Sequence, residues 1–197
     1  MEDTIKRQRE NIELVYNNKL SKSIQIIIED KSKTEREKKE LASKEIFNFT
    51  LDYFSKNNDL TKIDDVISRV IKENPDSIGT IISSFTRGCI LRKKNSTDIR
   101  NIISKIVKNN PDSALGIING FTQGYIFVGK DLTEIGDVIS GIIKDNPDST
   151  LDIIHGFTYG YISKGKNLEK IGDVISGIVQ KNPDLTENII NGLTYGC

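Results

Sequence analysis

The chain has 197 residues, 36% of them hydrophobic, and its 28 basic side chains balance 28 acidic ones. Zero net charge leaves no overall field to gather nucleic acid or an anionic membrane surface. No apolar run approaches the roughly 20 residues of a membrane span. The N-terminal Met1-Glu2-Asp3-Thr4-Ile5-Lys6-Arg7 lacks the apolar stretch of a secretory signal, so a cytoplasmic protein is expected.

Residues 1–39 are expected to form an N-terminal helical cap region with a charged segment. Ile5, Ile12, Leu14, Val15 and Tyr16 suit a first helix. Ser21 or Ser23 can cap a short second helix carrying Ile24, Ile26, Ile27 and Ile28. The mixed-sign run from Glu29 to Glu40 then reads as a solvated helix face or a hinge. Solenoids need an atypical terminal unit with a polar outer face, and this region is assigned that role.

Over residues 40–197 a strict 36-residue frame takes over. The triplet Asn-Pro-Asp stands at Asn74-Pro75-Asp76, Asn110-Pro111-Asp112, Asn146-Pro147-Asp148 and Asn182-Pro183-Asp184, which uses all four prolines. A second phrase travels with it, from the degenerate Phe49-Thr50-Leu51-Asp52-Tyr53 through Phe85-Thr86-Arg87-Gly88-Cys89, Phe121-Thr122-Gln123-Gly124-Tyr125 and Phe157-Thr158-Tyr159-Gly160-Tyr161 to Leu193-Thr194-Tyr195-Gly196-Cys197. Self-similarity at a fixed period marks a repeat array.

Each repeat is expected to hold two helices, A and B. In the copy that begins at Asn110, the asparagine is expected to cap helix A, with Pro111 at the first helical position and Asp112 against the positive end of the dipole. Helix A carries Ile117, Ile118, Phe121, Tyr125 and Ile126 on one face. Gly129 is placed as a left-handed C-cap, with Gly165 and Asn57 in the same slot and Lys93 departing from it. Asp131 can cap helix B, with Glu134 placed for a capping box, and Asp59, Asn95 and Asn167 share the Asp131 slot. Helix B then shows Ile135, Val138, Ile139, Ile142 and Ile143, an amphipathic pattern. Glycines inside both helices, at Gly120, Gly124, Gly156, Gly160 and at Gly136, Gly141, Gly172, Gly177, are assigned to close helix–helix approach. Each threonine of the second phrase is expected to return a hydrogen bond to its own helix. Cys89 and Cys197 share one slot with Tyr125 and Tyr161, a half-buried packing position.

The stretch Gly124-Tyr125-Ile126-Phe127-Val128-Gly129-Lys130, its following amphipathic segment and Asn146-Pro147-Asp148 resemble the tetratricopeptide and pentatricopeptide class of helix–turn–helix repeats in layout. The period of 36 residues is close to the roughly 34 of tetratricopeptide repeats. The resemblance covers residues 40–197. It implies an all-α fold, a right-handed α-solenoid of antiparallel helix pairs, with helix A lining the concave side.

No chemistry is assigned. His155 is the single histidine, and two distant cysteines with it cannot fill a four-ligand zinc site. No phosphate-binding loop occurs. The expectation is therefore a non-catalytic protein with no metal site and no cofactor. The informative signal lies between copies. One stripe of helix A changes while the core slots barely do, reading Thr80, Ser83, Arg87, Leu91; Gly116, Asn119, Gln123, Phe127; Asp152, His155, Tyr159, Ser163; and Asn188, Asn191, Tyr195. Ser83, Arg87, Asn119, Gln123, Phe127, His155, Tyr159, Asn191 and Tyr195 are the candidate partner-binding residues, because amide, aromatic and guanidinium groups suit adaptable binding surfaces.

The expected function is a protein- or peptide-binding scaffold using the helix A face. Single-stranded RNA binding is the alternative, supported by one basic copy with Arg87, Arg92, Lys93, Lys94, Arg100, Lys105 and Lys108 but opposed by the balanced or acidic copies after it. Ile189 and Ile190 on the final helix A are expected to lack cover, which points to self-association there or to a longer array.

Overall fold

The computed structural model describes residues 19–56, 63–165 and 168–196. Within them the fold is all-α, with no strand. Residues 19–29 form α1. It is followed by α2 (Glu35–Lys56), α3 (Ile63–Glu73), α4 (Ile78–Leu91), α5 (Ser96–Asn109), α6 (Ala114–Phe127), α7 (Leu132–Asp145), α8 (Thr150–Ile162), α9 (Leu168–Lys181) and α10 (Thr186–Gly196). The even-numbered helices from α2 onward are the A helices and the odd-numbered ones from α3 onward the B helices. Each A helix packs on the next A helix and each B helix on the next B helix, giving two layers in an α-solenoid. The expected first helix over Ile5 to Tyr16, and Asn57, Asp59, Asn167 and Cys197, lie outside the described residues.

The core follows the sequence period. Ile117, Ile118, Phe121 and Tyr125 are fully buried in layer A, with Ile126 at its margin. Ile135, Val138, Ile139, Ile142 and Ile143 are buried from layer B. Leu20 and Ile24 of α1 belong to the same core. Ser21 and Ser23 lie inside α1 rather than at its start, and Ser21 is buried. The cysteine slot is fully rather than half buried, since Cys89 has no exposed surface.

The Asn-Pro-Asp triplet works differently from its expected form. Asn110 makes no side-chain cap to the helix that follows. Its Nδ2 instead donates to the carbonyl of Ile106, one turn back in α5, at 2.8 Å. Asn74, Asn146 and Asn182 do the same toward Val70, Ile142 and Ile178. The physical reason is burial. These asparagines are at most 8% exposed, so the last carbonyls of helix B have no water and need a donor. Asn146 and Asn182 also donate to Ser104 and Ser140 of the preceding B helix, both at 2.8 Å. The proline then opens a 3₁₀ turn, Pro111–Ser113 in this copy, that runs directly into helix A.

The turn from A to B keeps closer to expectation. Gly129 and Gly165 take φ of +76° and +67°. In the first of these, Lys130 N–H closes back on the Tyr125 carbonyl at 3.1 Å. Lys93 holds the same left-handed position at φ 57° with a side chain. Asn95 and Asp131 cap α5 and α7 by accepting from Asp98 N–H and Thr133 N–H. No capping box closes at Asp131, because Glu134 accepts from Ser96 of the neighbouring B helix at 2.6 Å and from Lys130 at 3.0 Å. A reciprocal box does form at the start of α2, where Thr34 N–H donates to Glu37 Oε2 and Glu37 N–H to Thr34 Oγ1.

The glycines of the A helices explain why that layer is the tighter one. A Cβ on Gly120 would stand 2.6 Å from the Gly79 carbonyl oxygen, and one on Gly124 2.8 Å from that of Ser83. Gly192 repeats the first contact on Leu151, also at 2.6 Å. Thr50, Thr86, Thr122 and Thr158 fill the second site, against Gly88, Gly124, Gly160 and Gly196. Thr50 and Thr194 bond back to Ile46 and Ile190 as expected. The hydroxyls of Thr86, Thr122 and Thr158 find no partner. In layer B, Gly136 and Gly141 receive Val174 and Arg100, while Gly172 and Gly177 face open space. Layer A is packed the more closely of the two.

Gly120→Ala should therefore lower stability by about 1–3 kcal/mol, the usual cost of overpacking. Gly172→Ala should raise it by up to about 1 kcal/mol, the helix-propensity difference alone. Urea unfolding of the two variants checks both signs. Lys93→Gly should add about 0.5–1 kcal/mol in the same measurement, because relief of the left-handed strain exceeds the entropy cost of glycine.

Candidate partner-binding face

The stripe of helix A opens to solvent along the whole of layer A. Phe127, Tyr159, Asn191 and Tyr195 are exposed, while Ser83, Arg87, Asn119, Gln123 and His155 are half-buried. Phe127 retains 66% of its surface, Tyr159 52%, Tyr195 69% and the neighbouring Leu91 58%. All nine candidate residues lie on one open face, and none is drawn into the core.

The face is linked across repeats by a recurring step of 40 residues, one repeat plus one helical turn. The Arg87 Cζ sits 3.9 Å from the ring centroid of Phe127 and 5.3 Å from that of Phe47. Gln123 Nε2 donates to Ser163 Oγ at 3.4 Å and, within its own helix, to Asn119 Oδ1 at 2.8 Å. His155 and Tyr195 stand with ring centroids 6.4 Å apart. Close stacking of the A helices brings these side chains within reach.

Phe47 is a participant that the sequence reading omitted. It stands 36 residues before Ser83, so it occupies the stripe's own slot in the degenerate first copy. Extending the frame back into α2 would have found it. Burial pushes the Arg87 guanidinium below its ordinary value. The two groups most strongly displaced by burial, the Cys89 thiol and the Tyr125 phenol, are pushed upward and belong to the core rather than to this face.

The basic residues of the second copy do not form one patch. Arg87 lies on layer A. Arg100 lies on layer B, over Gly141 and bonded to Asn101. Lys105 on layer B approaches Asp64, and Lys94 covers the ring of Phe54 at 4.6 Å. On layer B a shallow groove between α5 and α7 is lined by Asp98, Asn101, Lys105, Lys108 and Asp145, of mixed sign. Among the described residues, no group of three or more His, Cys, Asp or Glu side chains gathers where it could hold a metal ion. No described helix is long and apolar enough to cross a membrane. At the last A helix the outcome is split. Ile189 is fully buried, contrary to expectation, because α8 and α9 already cover that side. Leu193 is half-buried and Ile190 stays 46% exposed.

Neither protein-family models nor curated proteins give a match to this chain.

One buried carboxylate lies away from the face. Asp64 of α3 is 5% exposed, its Oδ1 has no hydrogen-bond partner, and its Oδ2 is 4.0 Å from Lys105 Nζ. Burial raises its carboxyl above the usual range, and the Lys105 charge offsets this only in part. The folded state thus binds this proton more tightly than the unfolded chain. Its contribution to stability grows as pH falls through the raised value and is lost above it. Asp64→Asn should raise the melting temperature at neutral pH and flatten its fall as pH rises from the ordinary carboxylate range through the raised value. A thermal unfolding series across that range checks it.

Proposed function

We infer that this chain is a non-catalytic scaffold that binds a protein or peptide segment along the open face of the A helices. The observation that carries the reading is the concentration of exposed apolar surface there. Leu91, Phe127, Tyr159 and Tyr195 are all at least half-exposed and all come from one stripe on successive A helices. Scattered surface apolar side chains need no explanation, but an aligned series on one face marks an interaction surface. Tyrosine and arginine are also the residues that dominate binding energy at protein interfaces. The tetratricopeptide-like layout, with helix A on the inner side, accords with such a use.

Single-stranded RNA is the less favoured partner. A phosphate backbone needs positive charge along its whole path. On this face Arg87 stands alone, Asp152 follows on α8, and the other basic residues of the second copy lie at turns or on layer B.

A two-part binding experiment tests the reading. Random dodecapeptides displayed on phage are panned against the full chain, and a labelled random-sequence RNA is titrated at low and moderate salt. Peptides should be enriched on the wild type and should lose about tenfold or more in affinity with Tyr159→Ala plus Tyr195→Ala. Micromolar RNA binding with a steep salt dependence, without peptide enrichment, would overturn it.

A further inference from the structure

Arg87 is a half-buried cation on this face without a counter-ion. No salt bridge or hydrogen bond within the described residues engages its guanidinium, whereas Arg100, Lys105 and Lys130 elsewhere in the fold each have a polar or acidic partner. What surrounds it is aromatic, with Phe127 at 3.9 Å and Phe47 at 5.3 Å. Aromatic rings engage the flat faces of a guanidinium and leave its edges free. A guanidinium carries five N–H donors along those edges, in a fork that fits a carboxylate bidentately. Burial lowers its proton affinity.

The rest of the stripe indicates what bears that carboxylate. On α6, the hydrogen bond from Gln123 Nε2 to Asn119 Oδ1 leaves Asn119 Nδ2 as a donor and Gln123 Oε1 as an acceptor. One donor and one acceptor side by side complement a peptide unit. On α8, Asp152 sits on the stripe, half-buried, where it would repel a polyanion and attract a single cation. Charge along the face therefore runs from positive at α4 through neutral amides at α6 to negative at α8. Helices held together by small residues lie toward the short end of the usual axial separation of about 8–10 Å. Side chains level with one another on successive A helices are 40 residues apart, so Asp152 lies two helices from Arg87, roughly 16–20 Å, and also about 15 residues, roughly 22 Å, lower along the axis. An extended chain rising about 3.3 Å per residue covers that diagonal of roughly 27–30 Å in about eight or nine residues.

Building on the peptide-binding reading, we propose that Arg87, clamped by Phe47 and Phe127, receives a carboxylate side chain of an extended peptide whose basic residue, about eight or nine positions away, lies at Asp152. The amides of Asn119 and Gln123 take the peptide backbone between them. The ligand class is thus a bipolar peptide segment, acidic at one end and basic at the other.

The phage-selected dodecapeptides decide this. Selected sequences should share Asp or Glu with Lys or Arg about eight or nine positions away. A synthetic selected peptide, followed by fluorescence anisotropy, should lose about tenfold or more in affinity for Arg87→Gln, and Arg87→Lys should recover only part of it. Arg87→Glu should prefer the same peptide with its acidic residue changed to lysine, a swap that a merely structural arginine would not produce. Circular dichroism of each variant verifies that the helices persist. Enriched peptides without an acidic residue, or with affinity unchanged in Arg87→Gln, would overturn this inference while leaving the peptide-binding face intact. Absence of any peptide enrichment would overturn both.

Discussion

From α6 onward each A helix lies with small residues directly on the backbone of the A helix before it, and the rest of the structure depends on that contact. Gly120 and Gly124 of α6 meet the carbonyl oxygens of Gly79 and Ser83 on α4, with Thr86 filling the space beside Gly124. A side chain at either glycine would push the axes apart. The close fit makes layer A denser than layer B. It also brings side chains one repeat and one turn apart within reach of each other. Arg87 can meet Phe127, and Gln123 can meet Ser163, only because the helices beneath them are this close. The packing constraint and the candidate binding face are thus two consequences of the same glycines.

The Asn-Pro-Asp triplet shows how burial decides between two uses of one side chain. An asparagine next to a helix start can accept from the helix it precedes or donate to the helix it follows. Here the following turn already satisfies its own N–H groups, Ser113 donating to the Asn110 carbonyl and Ala114 to that of Pro111. The carbonyls at the end of the preceding helix are buried and need a donor. The side chain therefore turns back, and at Asn146 and Asn182 its second N–H also ties consecutive B helices together through Ser104 and Ser140. The triplet joins repeats as well as marking their boundary.

At the N-terminal end the same logic stops the array. The two glycine positions of α6 correspond to Asn48 and Asp52 in α2, so that helix lacks the small residues on which another A helix would seat. α1 contributes Leu20 and Ile24 to the core beside it. Without the triplet, α2 also extends back to Glu35, capped by Thr34 and Glu37. The charged stretch from Glu29 to Glu40 accordingly divides among the end of α1, a turn and the first turns of α2.

Much of the fold was legible in the chain because its determinants are local and repeated. A period of 36 residues, apolar faces at helical spacing, Gly129 and Gly165 at left-handed positions and Asn95 and Asp131 as caps each depend on neighbours within one or two turns. The position of the stripe was legible for the same reason, since helical periodicity puts Ser83, Arg87 and their counterparts on one face. What the stripe does with its side chains was not. The turn of Asn110 toward Ile106, the engagement of Glu134 by Ser96, the burial of Ile189 and the clamp of Phe47 and Phe127 around Arg87 all depend on what water can reach and on which helix lies alongside. Periodicity settles the direction in which a side chain leaves its helix; only the stacked helices settle what it meets there.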